Sequence, residues 1–218
     1  PNLPAPGAPD GSCTLRAAIE TANGLSGGNQ RAVVVMRPGR YRLNGRLPDV
    51  TGHVELRGAD LSQLPPPVKR TKAERKRWSK DEAARMADAD DYKDSYFQPK
   101  RPGNHQLTPV TSIIDGGRRF QILRTGYGSS LRVNSVRFEF GVAMDESSND
   151  PRDALGGALC VSGNLTLNNS IVRSNRAING GGLYTEGYTR LRHSVLTDNF
   201  ADQCGGLIYT AGVASVDS

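Results

Sequence analysis

Apolar and polar residues alternate in short runs along this chain, and from Gly156 onward the alternation repeats. Written from one glycine pair to the next, it reads Gly156-Gly157-Ala158-Leu159-Cys160-Val161, Gly180-Gly181-Gly182-Leu183-Tyr184-Thr185 and Gly205-Gly206-Leu207-Ile208-Tyr209-Thr210. The starts lie 24 and 25 residues apart. Leu167 recurs as Leu191, Ser170 as Ser194, Val172 as Leu196, Asn175 as Asn199 and Ala177 as Ala201. A fixed period in this range is the signature of stacked repeats. Inside it, alternation (Leu165, Leu167), β-branched residues and Gly, Ser and Asn punctuation predict strands. No run is long enough for two helices, which excludes tetratricopeptide, ankyrin and armadillo repeats. The pattern predicts an all-β fold, a parallel β-helix whose clearest repeats are residues 156–218. Three short strands fill each coil, and coils stack at about 4.8 Å. Leu167 then lies over Leu191 in the interior, and Asn175 over Asn199 in a turn ladder. The glycine pairs fall where the chain turns with positive φ or passes close to a neighbour.

Upstream, residues 12–23 place Leu15, Ala18, Ile19 and Ala22 at helical spacing, with Ser12 or Thr14 as cap and Asn23-Gly24 as stop. So short an amphipathic helix is unstable alone. A solenoid end exposes core and unpaired backbone, and this helix is the expected lid. Val33–Met36, Tyr41–Leu43, Val54–Gly58, Ile113–Gly117, Phe120–Leu123 and Leu131–Phe138 read as further strands. Leu131 and Val133 match Leu165 and Leu167 after 34 residues, one period plus ten. The surplus lies in Val142–Leu155, a polar loop with Asp145, Glu146, Asp150 and Asp153.

Residues 61–110 break the pattern. Pro65-Pro66-Pro67 is a stiff spacer. From Lys69 to Lys80 seven cations (Lys69, Arg70, Lys72, Arg75, Lys76, Arg77, Lys80) face Glu74 alone. Asp81 to Asp94 reverses the sign. Thr71 with Glu74 and Ser79 with Glu82 form capping boxes, so this charged insertion is expected to be partly helical. Trp78, Tyr92, Tyr96 and Phe97 carry too much apolar surface for a plain spacer. The insertion is expected to dock another protein, with an acidic surface or polyanion as second choice.

The 218 residues, 36% hydrophobic, suffice for one domain with a real core. No apolar run approaches a membrane span. Net charge is +6, and the 69–80 run alone nets six positives, so the remainder is balanced. No nucleic-acid-binding signature accompanies the charge, which argues against that partner. Cys13, Cys160 and Cys204 leave at least one thiol unpaired within the chain; Cys160 and Cys204 read as small buried residues. His53, His105 and His193 are scattered, with His193 read as an outward strand residue over Asn169. No Ser/His/Asp grouping, zinc spacing or phosphate loop is present, so neither cofactor nor metal is expected. The chain stops at Ser218, less than one coil after Gly205-Gly206. That leads to the expectation that further chain or another subunit covers the end.

Cys13-Thr14-Leu15-Arg16-Ala17-Ala18-Ile19, followed by Ala22-Asn23, resembles the Cys-Ser/Thr-Leu-Arg-Glu-Ala-Ile motif of many bacterial surface β-helix proteins. The Gly-Gly-Ala-Leu/Ile repeats are similar to the coils of polymorphic outer-membrane proteins. Ala17 stands where that family has Glu. The resemblance covers residues 10–58 and 111–218 and implies a right-handed, pectate-lyase-like β-helix located outside the cell, on its surface or in an organelle lumen. The class includes adhesins, structural proteins and polysaccharide-cleaving enzymes, so fold does not decide function. Enzymes of the class need several carboxylates on successive coils. The candidates here are Asp198 and Asp202, with Arg173 and Arg176 one coil earlier, and the Asp145–Asp153 loop. Ser174 and Ile178 precede the two acids by one coil, so no carboxylate ladder forms, and Tyr184 and Tyr188 are the aromatic surface available to a sugar. The expectation is a non-catalytic scaffold or adhesion subunit of a larger protein assembly, docking through residues 61–110 and its open C-terminal end. A polysaccharide lyase or hydrolase is the alternative.

Overall fold

The computed structural model describes residues 14–26, 30–59 and 110–217. Among the described residues there is one α-helix, α1 (Leu15–Leu25), and strands that recur in passes. The first pass holds β1 (Ala32–Val35) and β2 (Gly39–Arg42); the second holds β3 (His53–Arg57), β4 (Ser112–Asp115) and β5 (Leu123–Thr125). The third runs β6 (Ser130–Asn134), β7 (Val136–Glu139), β8 (Val142–Ala143) and β9 (Leu159–Val161). The fourth is β10 (Asn164–Asn168), β11 (Ile171–Arg173), β12 (Arg176–Asn179) and β13 (Leu183–Thr185). The fifth is β14 (Tyr188–Arg192), β15 (Val195–Thr197), β16 (Phe200–Cys204) and β17 (Ile208–Thr210), after which β18 (Val213–Asp217) returns to the first sheet.

Every named pairing is parallel, and the strands form four separate sheets. The first is β1-β3-β6-β10-β14-β18, the second β2-β4-β7-β11-β15, the third β8-β12-β16 and the fourth β5-β9-β13-β17. The molecule is therefore an all-β, repeated parallel-strand fold. Successive passes visit the sheets in the same order, so residues one period apart are paired. In the first sheet Leu56 is opposite Val133, Val133 opposite Leu167, and Leu167 opposite Leu191. All four side chains are buried. Ile114, Phe138 and Val172 line up likewise in the second sheet, and Leu123, Leu159 and Leu183 in the fourth.

Between sheets the chain turns on single left-handed residues that also stack. Ser135, Asn169 and His193 (φ 56°, 46° and 45°) lead from the first sheet to the second. Phe140, Ser174 and Asp198 (56°, 55° and 55°) lead from the second to the third. Gly156, Gly180 and Gly205 (63°, 65° and 68°) precede the fourth. His193 is thus a turn residue rather than an outward strand residue. Gly157 has a different reason to be glycine: a Cβ there would come within 2.5 Å of the Arg176 and Gly181 carbonyl oxygens. Beside the second ladder, Asn175 is fully buried. Its Oδ1 accepts from Gly141 N (2.7 Å), and its Nδ2 donates to Asn199 Oδ1 (2.9 Å).

Helix α1 begins at Thr14, whose hydroxyl accepts from Ala17 N, and ends at Ser26 rather than at Asn23-Gly24. Asn23 instead ties the helix down, donating to Asp49 O (2.8 Å) and accepting from Thr51 N (3.1 Å). Leu15, Ile19 and Ala22 are buried, and the helix packs against β1 and β3. The insertion at 61–110 falls almost wholly outside the described residues, as does Cys13. Cys160 is buried but Cys204 is exposed, which corrects the buried reading of the latter. Cys204 ends β16, an outer strand of the third sheet, paired on one side only.

Leu167 touches the interior, while its neighbour Thr166 faces outward. Leu167→Ala is expected to cost about 2–5 kcal/mol through transfer and cavity terms. Thr166→Ala should stay within about 0.5 kcal/mol. Urea unfolding of the two variants checks this; equal losses would contradict the stacked interior.

Candidate functional site

The densest polar chemistry lies over the outer face of the fourth sheet. Arg124 occupies the middle of β5, between the inward Leu123 and Thr125, so it points out of the sheet; yet its side chain is fully buried. The cover is the Val142–Leu155 loop, whose short 3-10 helix Pro151–Ala154 is capped by Asp150. Burying a guanidinium costs several kcal/mol unless it is paired and fully hydrogen-bonded. Arg124 Nη1 donates to Asp150 Oδ2 at 2.8 Å, Nη2 to Asp153 Oδ1, and Nε to Gln121 Oε1. Gln121 in turn donates through Nε2 to the carbonyls of Arg152 (3.0 Å), Leu155 and Gly156 (3.1 Å). Two further arginines complete the network. Arg152 Nη2 meets Asp150 at 2.8 Å and its Nη1 reaches Asp49 at 3.0 Å; Arg46 Nη1 meets Asp153 at 2.7 Å. Three cations thus face three carboxylates.

The electrostatics follow from these contacts. Hydrogen bonds from Arg152 hold Asp150 down to about 2, against the opposing effect of burial. Burial pushes Asp153 up, but Ser148, Arg124 and Arg46 outweigh it and leave the group low. Cys160, opposite Arg124 on the adjacent strand β9, is pushed up to about 12 by burial.

Beside the network, between the 116–121 turn and the start of the loop, lies a cavity of about 440 Å³. Phe120, Val142 and Met144 supply its apolar wall; Arg46, Arg119, Gln121, Asp145 and Asp153 supply the polar one. Further along the fourth sheet, Tyr184 and Tyr209 stack with ring centroids 5.3 Å apart and planes 4° from parallel.

A second charged group sits on the outer face of the second sheet. Arg40 bridges Asp115 (2.7 Å) and Glu139 (2.6 Å). Arg137 and Arg173 lie 3.8 and 3.9 Å from Glu139. Burial pushes the Glu139 carboxyl above its usual value, and the surrounding arginines pull against it.

The sequence-derived candidates disperse. Lys69, Arg70, Lys72, Arg75, Lys76, Arg77, Trp78, Lys80, Tyr92, Tyr96 and Phe97 lie outside the described residues. Asp202 is held by Arg176 at 2.9 Å, whereas Asp198 occupies a left-handed turn. Arg173 belongs to the Glu139 group. Leu167, Leu191, Asn175 and Asn199 are the column and ladder already described. Arg124 and Arg46 were missed as partners of the acidic loop. The available signal was an arginine following the Phe120–Leu123 strand, directly upstream of a loop rich in carboxylates. Among the described residues no group of three His, Cys, Asp or Glu could hold a metal ion, and no helix is long and apolar enough to cross a membrane. Comparison of the chain with protein-family models, curated proteins and solved structures finds no match.

Two outcomes follow. Asp150 is depressed from 3.8 to about 2 on folding, so its contribution is present above pH 3.8 and is lost as pH falls toward 2. Asp150→Asn should lower stability near neutrality yet flatten the loss across that window, read by urea unfolding at stepped pH; an unchanged slope would contradict the assignment. Alkylation of the native protein with iodoacetamide, followed by peptide mass spectrometry, should label Cys204 and spare Cys160 until denaturant is added.

Proposed function

We propose that this chain is a right-handed parallel β-helix serving as a non-catalytic scaffold or adhesion-type subunit of a larger protein assembly. The same-order visits to four parallel sheets, the residue pairing one period apart and the stacked left-handed turns support the solenoid reading. Its handedness and its place among pectate-lyase-like surface proteins rest on the resemblance of residues 13–23 and of the Gly-Gly repeats.

One observation carries the non-catalytic reading: six outward-facing carboxylates are held by arginines from other strands. Asp115 and Glu139 share Arg40, Asp150 and Asp153 share Arg124, Asp202 takes Arg176, and Asp217 takes Arg190 and Arg192. Such pairs hold a strand surface together, and they occupy the oxygens that acid–base work on a sugar would need free. Docking is assigned to residues 61–110, where the seven cations of the 69–80 run and four aromatic side chains (Trp78, Tyr92, Tyr96 and Phe97) are concentrated. An extracellular, cell-surface or lumenal location suits this role.

Deletion of residues 66–102 should leave the far-ultraviolet circular dichroism of the repeats unchanged while abolishing a complex larger than the 23.4 kDa chain. Size-exclusion chromatography with light scattering of material from its native source reads the mass. A complex that survives the deletion would refute the docking role. Incubation with pectin or alginate plus calcium should give no rise in ultraviolet absorbance from unsaturated product; a steady rise would establish the enzyme alternative instead.

A further inference from the structure

We infer that the cavity beside the 116–121 turn binds a compact carboxylate that carries an apolar body. Its volume of about 440 Å³ falls within the range of about 300–1,000 Å³ found for small-molecule sites. Arg46 and Asp153 neutralise each other at 2.7 Å. The Gln121 amide is consumed by Arg124 and by three carbonyl oxygens. Asp145 Oδ1 accepts from Ser147 N (3.1 Å) and Ser147 Oγ (2.7 Å).

Arg119 differs from these. Its guanidinium lies over the Phe120 ring, 5.3 Å from the centroid, and among the described residues no carboxylate pairs with it. A stacked guanidinium is held flat, with its N–H edge left for a planar anion, which a carboxylate satisfies with two parallel hydrogen bonds. Phe120, Val142 and Met144 present the apolar surface on which the rest of the ligand would lie. Asp145 on the same wall disfavours a second negative charge, so a monoanion is selected over a dianion. The carboxylate comes either from a free small acid or from the C-terminus of a partner chain; the chemistry recognised is the same. This assignment stands apart from the docking role of residues 61–110.

The test follows the Met144 methyl group by NMR in full-length protein labelled at its three methionines, with Met144→Leu identifying the signal. The probes are phenylacetate and its uncharged analogue phenylacetamide. Phenylacetate should move the Met144 signal to saturation, and the amide should bind at least about tenfold more weakly, the ratio expected for one charge-assisted hydrogen-bonded contact. Arg119→Gln should weaken phenylacetate binding by a similar factor, while Arg118→Gln, whose side chain lies over Phe140 instead, should not. A blocked tripeptide ending in phenylalanine, as acid and as amide, distinguishes the sources. Tighter binding of the peptide acid assigns the site to a chain terminus, and tighter binding of phenylacetate assigns it to a free acid. Equal affinity for acid and amide, wild-type binding by Arg119→Gln, or a Met144 signal that stays still up to the solubility limit would each overturn the inference.

Discussion

Parallel pairing between passes is the constraint on which the rest of this molecule depends. In the inner strands of each sheet the N–H and C=O groups are satisfied by the passes before and after, and leaving such groups unpaired in the interior is costly. Register is therefore kept wherever strands pair, and variation in length is pushed into turns. Asn134 and Asn168, 34 residues apart, are partners as surely as Asn175 and Asn199, 24 residues apart. The ten extra residues are looped out between β8 and β9 without shifting a strand. Arg40 and Asp115 meet across 75 residues for the same reason.

Stacking of like positions has opposite consequences on the two faces of a sheet. Inside, Leu over Leu is favourable and each fully buried aliphatic side chain contributes roughly 1.5–3 kcal/mol. Outside, the same rule sets like charges over each other, as at Asp115 and Glu139 in adjacent strands of the second sheet. Directly opposed like charges destabilise a sheet. Arg40, one pass before Asp115 and two before Glu139, bridges both carboxylates, while Arg137 on the same strand as Glu139 and Arg173 on the following one lie close to Glu139. The repeat thus generates its own electrostatic problem, and arginine at offset positions resolves it.

That asymmetry also explains what could be read from residues alone. Leu167 with Leu191 and Asn175 with Asn199 were legible because each pair recurs at the period. The glycine pairs were legible because Gly156 requires positive φ and Gly157 requires close backbone approach, both of which exclude other residues. The turns at Ser135, Asn169 and His193 were not, since a single left-handed residue with an ordinary side chain leaves no compositional mark. Arg124 was not, because its partners Asp150 and Asp153 sit 26 and 29 residues on, across a loop that interrupts the period. The exposure of Cys204 depends on which strand lies at the sheet edge, and an edge strand has the same sequence pattern as a covered one.

Ligand chemistry should collect where the repeat breaks, and the reason is geometric. Within the strict period a side chain on an outer face always finds another one a strand spacing away, about 4.8 Å, and polar groups are consumed by their own ladder. Tyr184 against Tyr209 and Arg176 against Asp202 show this consumption. Arg119 has no ladder. It sits in the turn before β5, where Phe140 O accepts from Arg118 N and Val142 N donates to Phe120 O, so the next pass meets that turn at the start of the Val142–Leu155 loop. The loop that replaces the regular turn there walls off a cavity rather than filling it. An arginine without a ladder partner beside such a cavity is what a repeat protein has available for binding something other than itself.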